Sequence, residues 1–530
     1  MQGQVRKGQV KARIDYKGCR KHGVRVAAGR ETVPQEERLN PERPHIQQPF
    51  RGRGRVNLNT VEEVTAQVLQ KVRPSLVESE KLMRLADRLL EAVKDASRNY
   101  EGVLDARLEG SVAKGTWIRG REEVDVFVQF SRELGKDRLE KAILEIGNVV
   151  IKKFGGKTRL RYAEHPYVEG MLNGIRVNVV ACYRVEPGMW LSAVDRTPYH
   201  TEYVKSRLAG ALADEIRLTK AFMLGCGVYG AEIRVGGFSG YLAELLTLNY
   251  GGFLKMVEAA SSWRPPVCID IEGHYASKKE ALEAFGRPHI VVVDPVDKKR
   301  NVAAAVTETK LSEFILASRL FLNSPSERFF YIPERVSKCR TMTEVRRALR
   351  GRCILGLRLR VQQKPPDVLW GEIKHTLMGI RRALEHEGFR TFRYDAWSED
   401  DTCVMLFELQ GLNLPPYYLH CGPPVYLDNA FDFVKKHVEA QDTVAGPWVS
   451  GSRLYVLKSR SKTSVVDILR IRLTRGDVSV SAGLMDAIKK ARIYKSGEEL
   501  AKLASRNVSF RQFLFDFLEA RPPFLSRQGQ

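Results

Sequence analysis

Glu123 and Asp125 stand two residues apart, and Glu123 follows Ser111 of a Gly110-Ser111 pair by twelve positions. The stretch Glu109–Phe130, EGSVAKGTWIRGREEVDVFVQF, reads as a strand ending at Leu108–Glu109, a Gly-Ser turn, one or two helical turns and a second strand over Val124–Phe130. Residues two apart on a strand point to the same face, so the two carboxylates project together from one edge of a sheet. Carboxylates in that position, just beyond a small-residue turn, are what a pair of Mg2+ ions and a triphosphate need. The turn offers backbone N–H groups and a hydroxyl to phosphates, and the carboxylates hold hard cations through oxygen. E-x-D alone is more often a solvated acidic face; its coupling to G-S at this spacing makes the chemistry the stronger reading.

The elements that must position these groups follow from periodicity. Thr60–Val72 and Val77–Tyr100 read as amphipathic helices, the second with Leu82, Leu85, Leu89, Ala92 and Val93 on one stripe. A helix over Asp137–Phe154 and strands near Thr158–Arg161, Tyr167–Leu172 and Ile175–Ala181 complete a small α+β sheet unit. On the last strand Arg176, Asn178 and Val180 share a face. Asp214–Leu224 is expected to be a helix that exposes Lys220, with Asp214 and Glu215 favourable in its first turn. GGFSGYLAELL starts another helix; no G-K-[ST] follows, so its glycines point to close packing rather than a phosphate loop. A strand over His289–Asp294 leads into DPVDKKRNVAAAV. Further on, Cys353–Val361, a helix over Pro366–Glu387 stopped by Gly388, Phe389–Tyr394 and Thr402–Leu409 form a β-α-β-β run. Helices are expected near Ala430–His437, Ala482–Ile493 and Glu498–Ala504, and strands near Arg453–Leu457 and Val465–Leu473.

The 530 residues carry a formal net charge of +23, which favours an acidic polymer, most simply nucleic acid, as partner. Residues 1–55 hold fourteen Lys and Arg against five Asp and Glu without helix or strand period, the pattern of a disordered basic tail. A hydrophobic content of 43% with 28% charged residues builds true cores, and this length calls for three or four domains. None of the eight cysteines forms a C-x-x-C pair and no H-E-x-x-H occurs, so neither a zinc site nor a disulfide framework is expected. Neither a membrane-length apolar run nor a signal-peptide core is visible, and a cytoplasmic protein is expected.

GS-x-A-x-x-T-W with E-x-D-V-F resembles the head-domain signature of archaeal-type (class I) CCA-adding enzymes, tRNA nucleotidyltransferases of the polymerase-β-like superfamily. AVDRTPYH, R-L-x-K, VYGAE and DPVDxKRNVA extend the resemblance, which spans about residues 60–530 and is densest over 107–302. It implies a multidomain α+β fold: a nucleotidyltransferase head over 56–205, a nucleotide-binding neck over 206–320, an α+β body over 321–440 and a tRNA-binding tail over 441–530. It also implies addition of C, C and A to tRNA 3′ ends from CTP and ATP, with Mg2+ and no nucleic-acid template. By the same resemblance Glu123 and Asp125 bridge the metals and Ser111 meets the phosphates. Lys114 stands where the family has Arg, keeping the charge but losing a bidentate fork. His200, Lys220 and Tyr229 match triphosphate and sugar contacts, and Arg300 matches an arginine that reads the edge of the incoming base. The chain departs from the pattern at Asn178, where the family has its third carboxylate. An amide oxygen ligates Mg2+ but brings no charge and takes no proton. Two readings therefore stand: an active CCA-adding enzyme, or a relative that binds tRNA and NTP with little or no catalysis. Oligomeric state stays open, a homodimer being one alternative.

The charge distribution generates the first prediction. RNA binding should weaken steeply with salt, with a log–log slope of about −0.9 per neutralised phosphate on duplex segments. Removing residues 1–55 should leave catalysis intact and lower affinity only modestly. Filter binding across a salt series checks both; a flat response would contradict phosphate-dominated binding.

Overall fold

The computed structural model describes residues 58–162, 165–332 and 340–525. The basic segment 1–55, together with Glu164, Cys19 and Cys339, lies outside them. The chain divides into Met1–Pro49 and Phe50–Gln530, and all described residues belong to the second unit.

Two helices open it, α1 (Leu58–Val72) and α2 (Leu76–Ser97). A capping box between Ser75 and Glu78 starts α2, satisfying amide groups that the first turn leaves without partners. There follow β1 (Val103–Glu109), α3 (Gly110–Lys114), β2 (Glu123–Phe130), α4 (Lys136–Lys153), β3 (Lys157–Tyr162), β4 (Pro166–Leu172) and β5 (Ile175–Tyr183). The strands form one sheet in the order β1-β2-β5-β4-β3. Only β2 and β5 run parallel within it, and α4 lies on the connection that parallel neighbours require. Val124, Val126, Val128, Val177, Val179 and Ala181 bury one face in a core shared with α2 and α4. Alternation then leaves Glu123, Asp125 and Asn178 on the opposite face, which faces the site.

The second layer is helical: α5 (Thr197–Arg207), α6 (Leu212–Gly225), α7 (Gly240–Tyr250) and α8 (Phe253–Ser261), then β6 (Val267–Asp270), α9 (Lys278–Ala284), β7 (Ile290–Asp294), β8 (Asp297–Asn301) and α10 (Glu308–Asn323). Its core centres on Phe222, whose ring meets those of Phe253, Phe314, Phe321, Phe329 and Phe330 at 5.4–6.1 Å. Val61, Val68 and Val72 of α1 join this core, so the first helix straps the second layer while α2 covers the sheet.

The last part contains α11 (Met342–Leu349), β9 (Cys353–Arg360), α12 (Pro366–Glu387), β10 (Thr391–Glu399), β11 (Thr402–Leu409), β12 (Tyr417–Pro424), α13 (Asn429–Val438), β13 (Thr443–Ser450), β14 (Arg453–Ser459), α14 (Val465–Arg475), α15 (Met485–Lys489), β15 (Arg492–Tyr494), α16 (Gly497–Arg506) and α17 (Val508–Glu519). Sheet β10-β11-β9-β15 packs α12 and α14 into one core and α11, α16 and α17 into another. Sheet β12-β14-β13 stands separately. The multidomain α+β architecture is the one the sequence led us to expect.

Two elements differ from expectation. Val465–Leu473 reads as a strand from its β-branched run, yet it lies within α14. Its buried residues Val465, Ile468, Leu469 and Leu473 fall at i, i+3, i+4 and i+8, a helical stripe that outweighs propensity. Ala482–Ile493 reads as one helix, but only a short turn and α15 are helical. Arg492–Tyr494 instead pairs with Arg358–Gly356 of β9, because a free sheet edge offers those backbone groups partners.

Phe222 carries this section's prediction. Phe222→Ala removes a fully buried ring from a close-packed cluster and should cost about 3–5 kcal/mol, read as a lower urea midpoint for the transition that unfolds the helical layer.

Candidate functional site

Strand alternation and register set the first half of the site. Across the sheet Glu109 pairs with Asp125, Asp125 with Asn178 and Asn178 with Glu169, so the four share one face. The Asn178 amide donates through Nδ2 to Glu123 Oε1 at 2.7 Å and to Asp125 Oδ1 at 2.8 Å. One neutral group thus ties both carboxylates together. Burial pushes the Asp125 carboxyl up to about 7, and the charge of Glu123 adds to the effect against the Asn178 hydrogen bond. Gly110 holds φ +73°, and a Cβ there would collide with Asp125 Oδ2. Only glycine suits both constraints, so the turn is shaped to bring its backbone against this carboxylate. Ser111 lies in the first turn of α3.

The carboxylates and the amide form an oxygen-rich set. Asn178 Oδ1 is buried with no hydrogen-bond partner, and such an orphan acceptor is costly unless something binds it. Two carboxylates with an unsatisfied amide oxygen fit a hard divalent cation. Among the described residues, no three His, Cys, Asp or Glu side chains are grouped to hold a metal ion, because the third member here is an amide.

The second half is built around two acceptors that sequence reasoning missed. Glu244 of α7 is buried and receives Lys114 Nζ at 2.5 Å, Lys220 Nζ at 2.8 Å and Thr116 Oγ1 at 2.7 Å. Burial opposes its charge, but Lys114 and Lys220 prevail and hold it down at about 2. Burial also pushes Lys220 below the usual lysine range, more than Glu244 restores. Lys220 is therefore not on the exposed face expected for it: it is 3% exposed, because α6 turns this residue toward α7 and Thr116 rather than toward water. Arg217, one turn earlier, donates to the carbonyls of Gly115 at 2.5 Å and Trp117 at 3.0 Å, closing α6 onto the segment after α3.

Asp294, at the end of β7, is the other acceptor. His200 Nε2 lies 2.9 Å from its Oδ2, Arg300 Nη1 donates to the same oxygen at 2.6 Å, and the Tyr241 hydroxyl donates to Oδ1 at 3.3 Å. The His200 ring stacks on Tyr241 at 4.0 Å. Burial lowers His200, favouring the neutral ring, and outweighs Asp294. Lys114 Nζ sits 5.9 Å from the Tyr241 ring centroid, which links this cluster to Glu244. Tyr229 bridges to Phe238 through the backbone, and its hydroxyl lies against Gly240, where any Cβ would press on it at 2.7 Å.

The structure thus brings Glu123, Asp125 and Asn178 into contact, joins Lys114 with Lys220, and joins His200 with Arg300. The Ser111 and Tyr229 side chains make no hydrogen bond to these groups, although the Glu244 charge reaches Tyr229. One signal for Glu244 was legible: a lone carboxylate among Leu242, Leu245 and Leu246 on a helix must be paired. Asp294 gave no comparable signal.

Glu244→Gln keeps the shape but leaves two buried ammonium groups without an anion. It should cost about 3–5 kcal/mol, read in urea denaturation at pH 7. A carboxyl held at about 2 from an ordinary 4.5 contributes stability above its unfolded value and loses it as pH falls toward about 2. The wild type should therefore lose stability across that window, and the variant should lose less.

Three family descriptions match: nucleotidyltransferase domain over 86–200, tRNA nucleotidyltransferase second domain over 214–331, and CCA-adding enzyme C-terminal domain over 350–496. The chain is 38% identical over 413 residues to the CCA-adding enzyme of Methanothermobacter thermautotrophicus, covering 77% of this chain and 88% of that one. It is 35% identical over 432 residues to the enzyme of the same name from Pyrobaculum islandicum, covering 81% and 97%. With that of Saccharolobus shibatae it shares 39% over 377 residues, covering 70% and 85%. A sheet face with paired carboxylates, a Gly-Ser turn against one of them and basic groups across the facing helices occur here in a chain matched along most of its length, and the chain belongs to the family of CCA-adding enzymes.

Proposed function

We propose that this protein adds C, C and A to tRNA 3′ ends from CTP and ATP, with Glu123 and Asp125 holding Mg2+. The observation that carries the reading is the pairing of these carboxylates on one face of β2, against the Gly110-Ser111 turn. The reaction is attack of a terminal ribose hydroxyl on the α-phosphate of an NTP, with pyrophosphate leaving. Bound Mg2+ would make the attacking hydroxyl more acidic and neutralise the leaving oxygens. The residues of the chain do the positioning. Ser111 and the α3 turn offer donors to the phosphates. Lys114 and Lys220 bring two positive charges against the single negative charge of Glu244, so one net charge remains for the triphosphate. His200, neutral and stacked on Tyr241, gives its one N–H to Asp294 and presents its other ring nitrogen as an acceptor rather than a charge. Tyr229 lies on the sugar side. Asp294 holds one edge of the Arg300 guanidinium, leaving the remaining donors to read the incoming base. Asn178 holds Glu123 and Asp125 together and cannot accept a proton.

On this reading residues 56–205 form the head, 206–320 the neck, 321–440 the body and 441–530 the tail on the RNA. Among the described residues no helix is long and apolar enough to cross a membrane.

Incubation with Mg2+, labelled CTP or ATP, and tRNA ending before, within or after CCA tests the function. Addition should stop after one A. Glu123→Ala and Asp125→Ala should each lower addition at least about 100-fold while the circular-dichroism melt is kept. Full activity in either variant would remove the site assignment. A wild type that binds tRNA and NTP yet adds nothing would establish the non-catalytic reading.

A further inference from the structure

The row of side chains across the sheet holds one carboxylate that the proposed chemistry does not use. Glu109, the last residue of β1, is 1% exposed, and neither of its carboxylate oxygens has a hydrogen-bond partner. Its nearest cation is Arg107, 3.7 Å away, but that guanidinium donates at 2.7 Å to Glu202 instead. Thr201 and Arg107 favour its charged form but burial outweighs them, so the carboxylate is weakly partnered for so buried a group. It faces Asp125 across the β1–β2 ladder, where facing Cβ atoms are about 5 Å apart. Its charge reaches the Asp125 carboxyl.

Glu169 is the rival, since it faces Asn178 directly across β4–β5. Its charge is already taken. Arg161 donates to it at 3.0 Å through Nε and lies 2.9 Å away through Nη2, and Arg176 stands 3.8 Å off. Glu109 has only Arg107 at 3.7 Å, and that guanidinium is shared with Glu202.

We propose that Glu109 supplies, from β1, the third negative charge of the cation site that Asn178 withholds from β5. The proposal rests on the reading that Glu123 and Asp125 hold the cation. Glu109 then acts as a positioning residue through its charge alone, from the other side of Asp125 and outside the ligand group formed by Glu123, Asp125 and Asn178. The cation in turn relieves a buried charge that the folded chain otherwise pairs only with Arg107 at 3.7 Å.

Mn2+ alone is the probe, with free ion counted by electron paramagnetic resonance in titrations of the full chain. Glu109→Gln should weaken Mn2+ binding about 10-fold without lowering the circular-dichroism melt, since it removes a buried charge with only one distant cationic partner. Adding Asn178→Asp in that background should restore most of the affinity. In the otherwise intact chain, Asn178→Asp should raise affinity much less. If Glu109→Gln leaves affinity unchanged while Asp125→Asn lowers it, the proposal falls and the cation site stands. If Asp125→Asn also changes nothing, the cation site falls and the proposal with it. Should Glu109→Gln fail to fold, the intact-chain comparison decides: a 10-fold gain from Asn178→Asp alone would show that no third charge was present, and would overturn the proposal.

Discussion

Glu244 is one buried carboxylate shared by two lysines and a threonine that come from different parts of the chain. Its importance follows from where it ties α3, whose Val112 already packs into the sheet core. That helix has five residues, too few for a helix to persist on its own hydrogen bonds. Its first turn carries Ser111 and its last residue is Lys114. Anchoring Lys114 to α7, with Arg217 bound to the carbonyls of Gly115 and Trp117, fixes the turn against the helical layer. Replacing these charges with apolar groups could match the stability, but it would leave no positive charge beside the turn.

The same economy recurs at Asp294 and is inverted at Asn178. Asp294 is an acceptor shared by His200, Arg300 and Tyr241, so a single anion orients an imidazole, a guanidinium and a phenol. At Asn178 a single donor serves two acceptors. In both places one planar group fixes the geometry of several, and buried polar groups that are almost fully satisfied make the arrangement stiff. The exceptions are informative. The Asn178 oxygen and the Glu109 carboxylate lack hydrogen-bond partners, and both lie in the row that includes Asp125.

Much of the site and fold was legible because the signals are local. Glu123 and Asp125 sharing a face is a consequence of a period of two. The Gly110-Ser111 turn, the apolar stripe of α2 and the β-α-β-β run from Cys353 to Leu409 are all short-range patterns. Where the local signals conflicted, the reading went astray. The β-branched run at Val465 suggested a strand, although the spacing of its buried residues is helical. Arg492–Tyr494 looked like the end of a helix, and its strand exists only because β9 presents an open edge.

The sequence by itself determined which residues could carry charge and hydroxyl chemistry, that they ride on one face of a strand and on helices beyond it, and that Asn178 breaks the carboxylate pattern; the strand lies inside the sheet rather than at its edge. Tertiary structure alone decided what each of them touches. Lys114 and Glu244 are 130 positions apart, and His200 and Asp294 are 94 apart. No periodicity reaches across such separations. Burial of Lys220, read from the sequence as exposed, depends on α6 packing against α7. The isolation of Glu109 depends on Arg107 turning to Glu202. Pairing of a buried charge is a property of the folded core, where low dielectric makes each partner count, and it is there that the choice among equally charged residues was made.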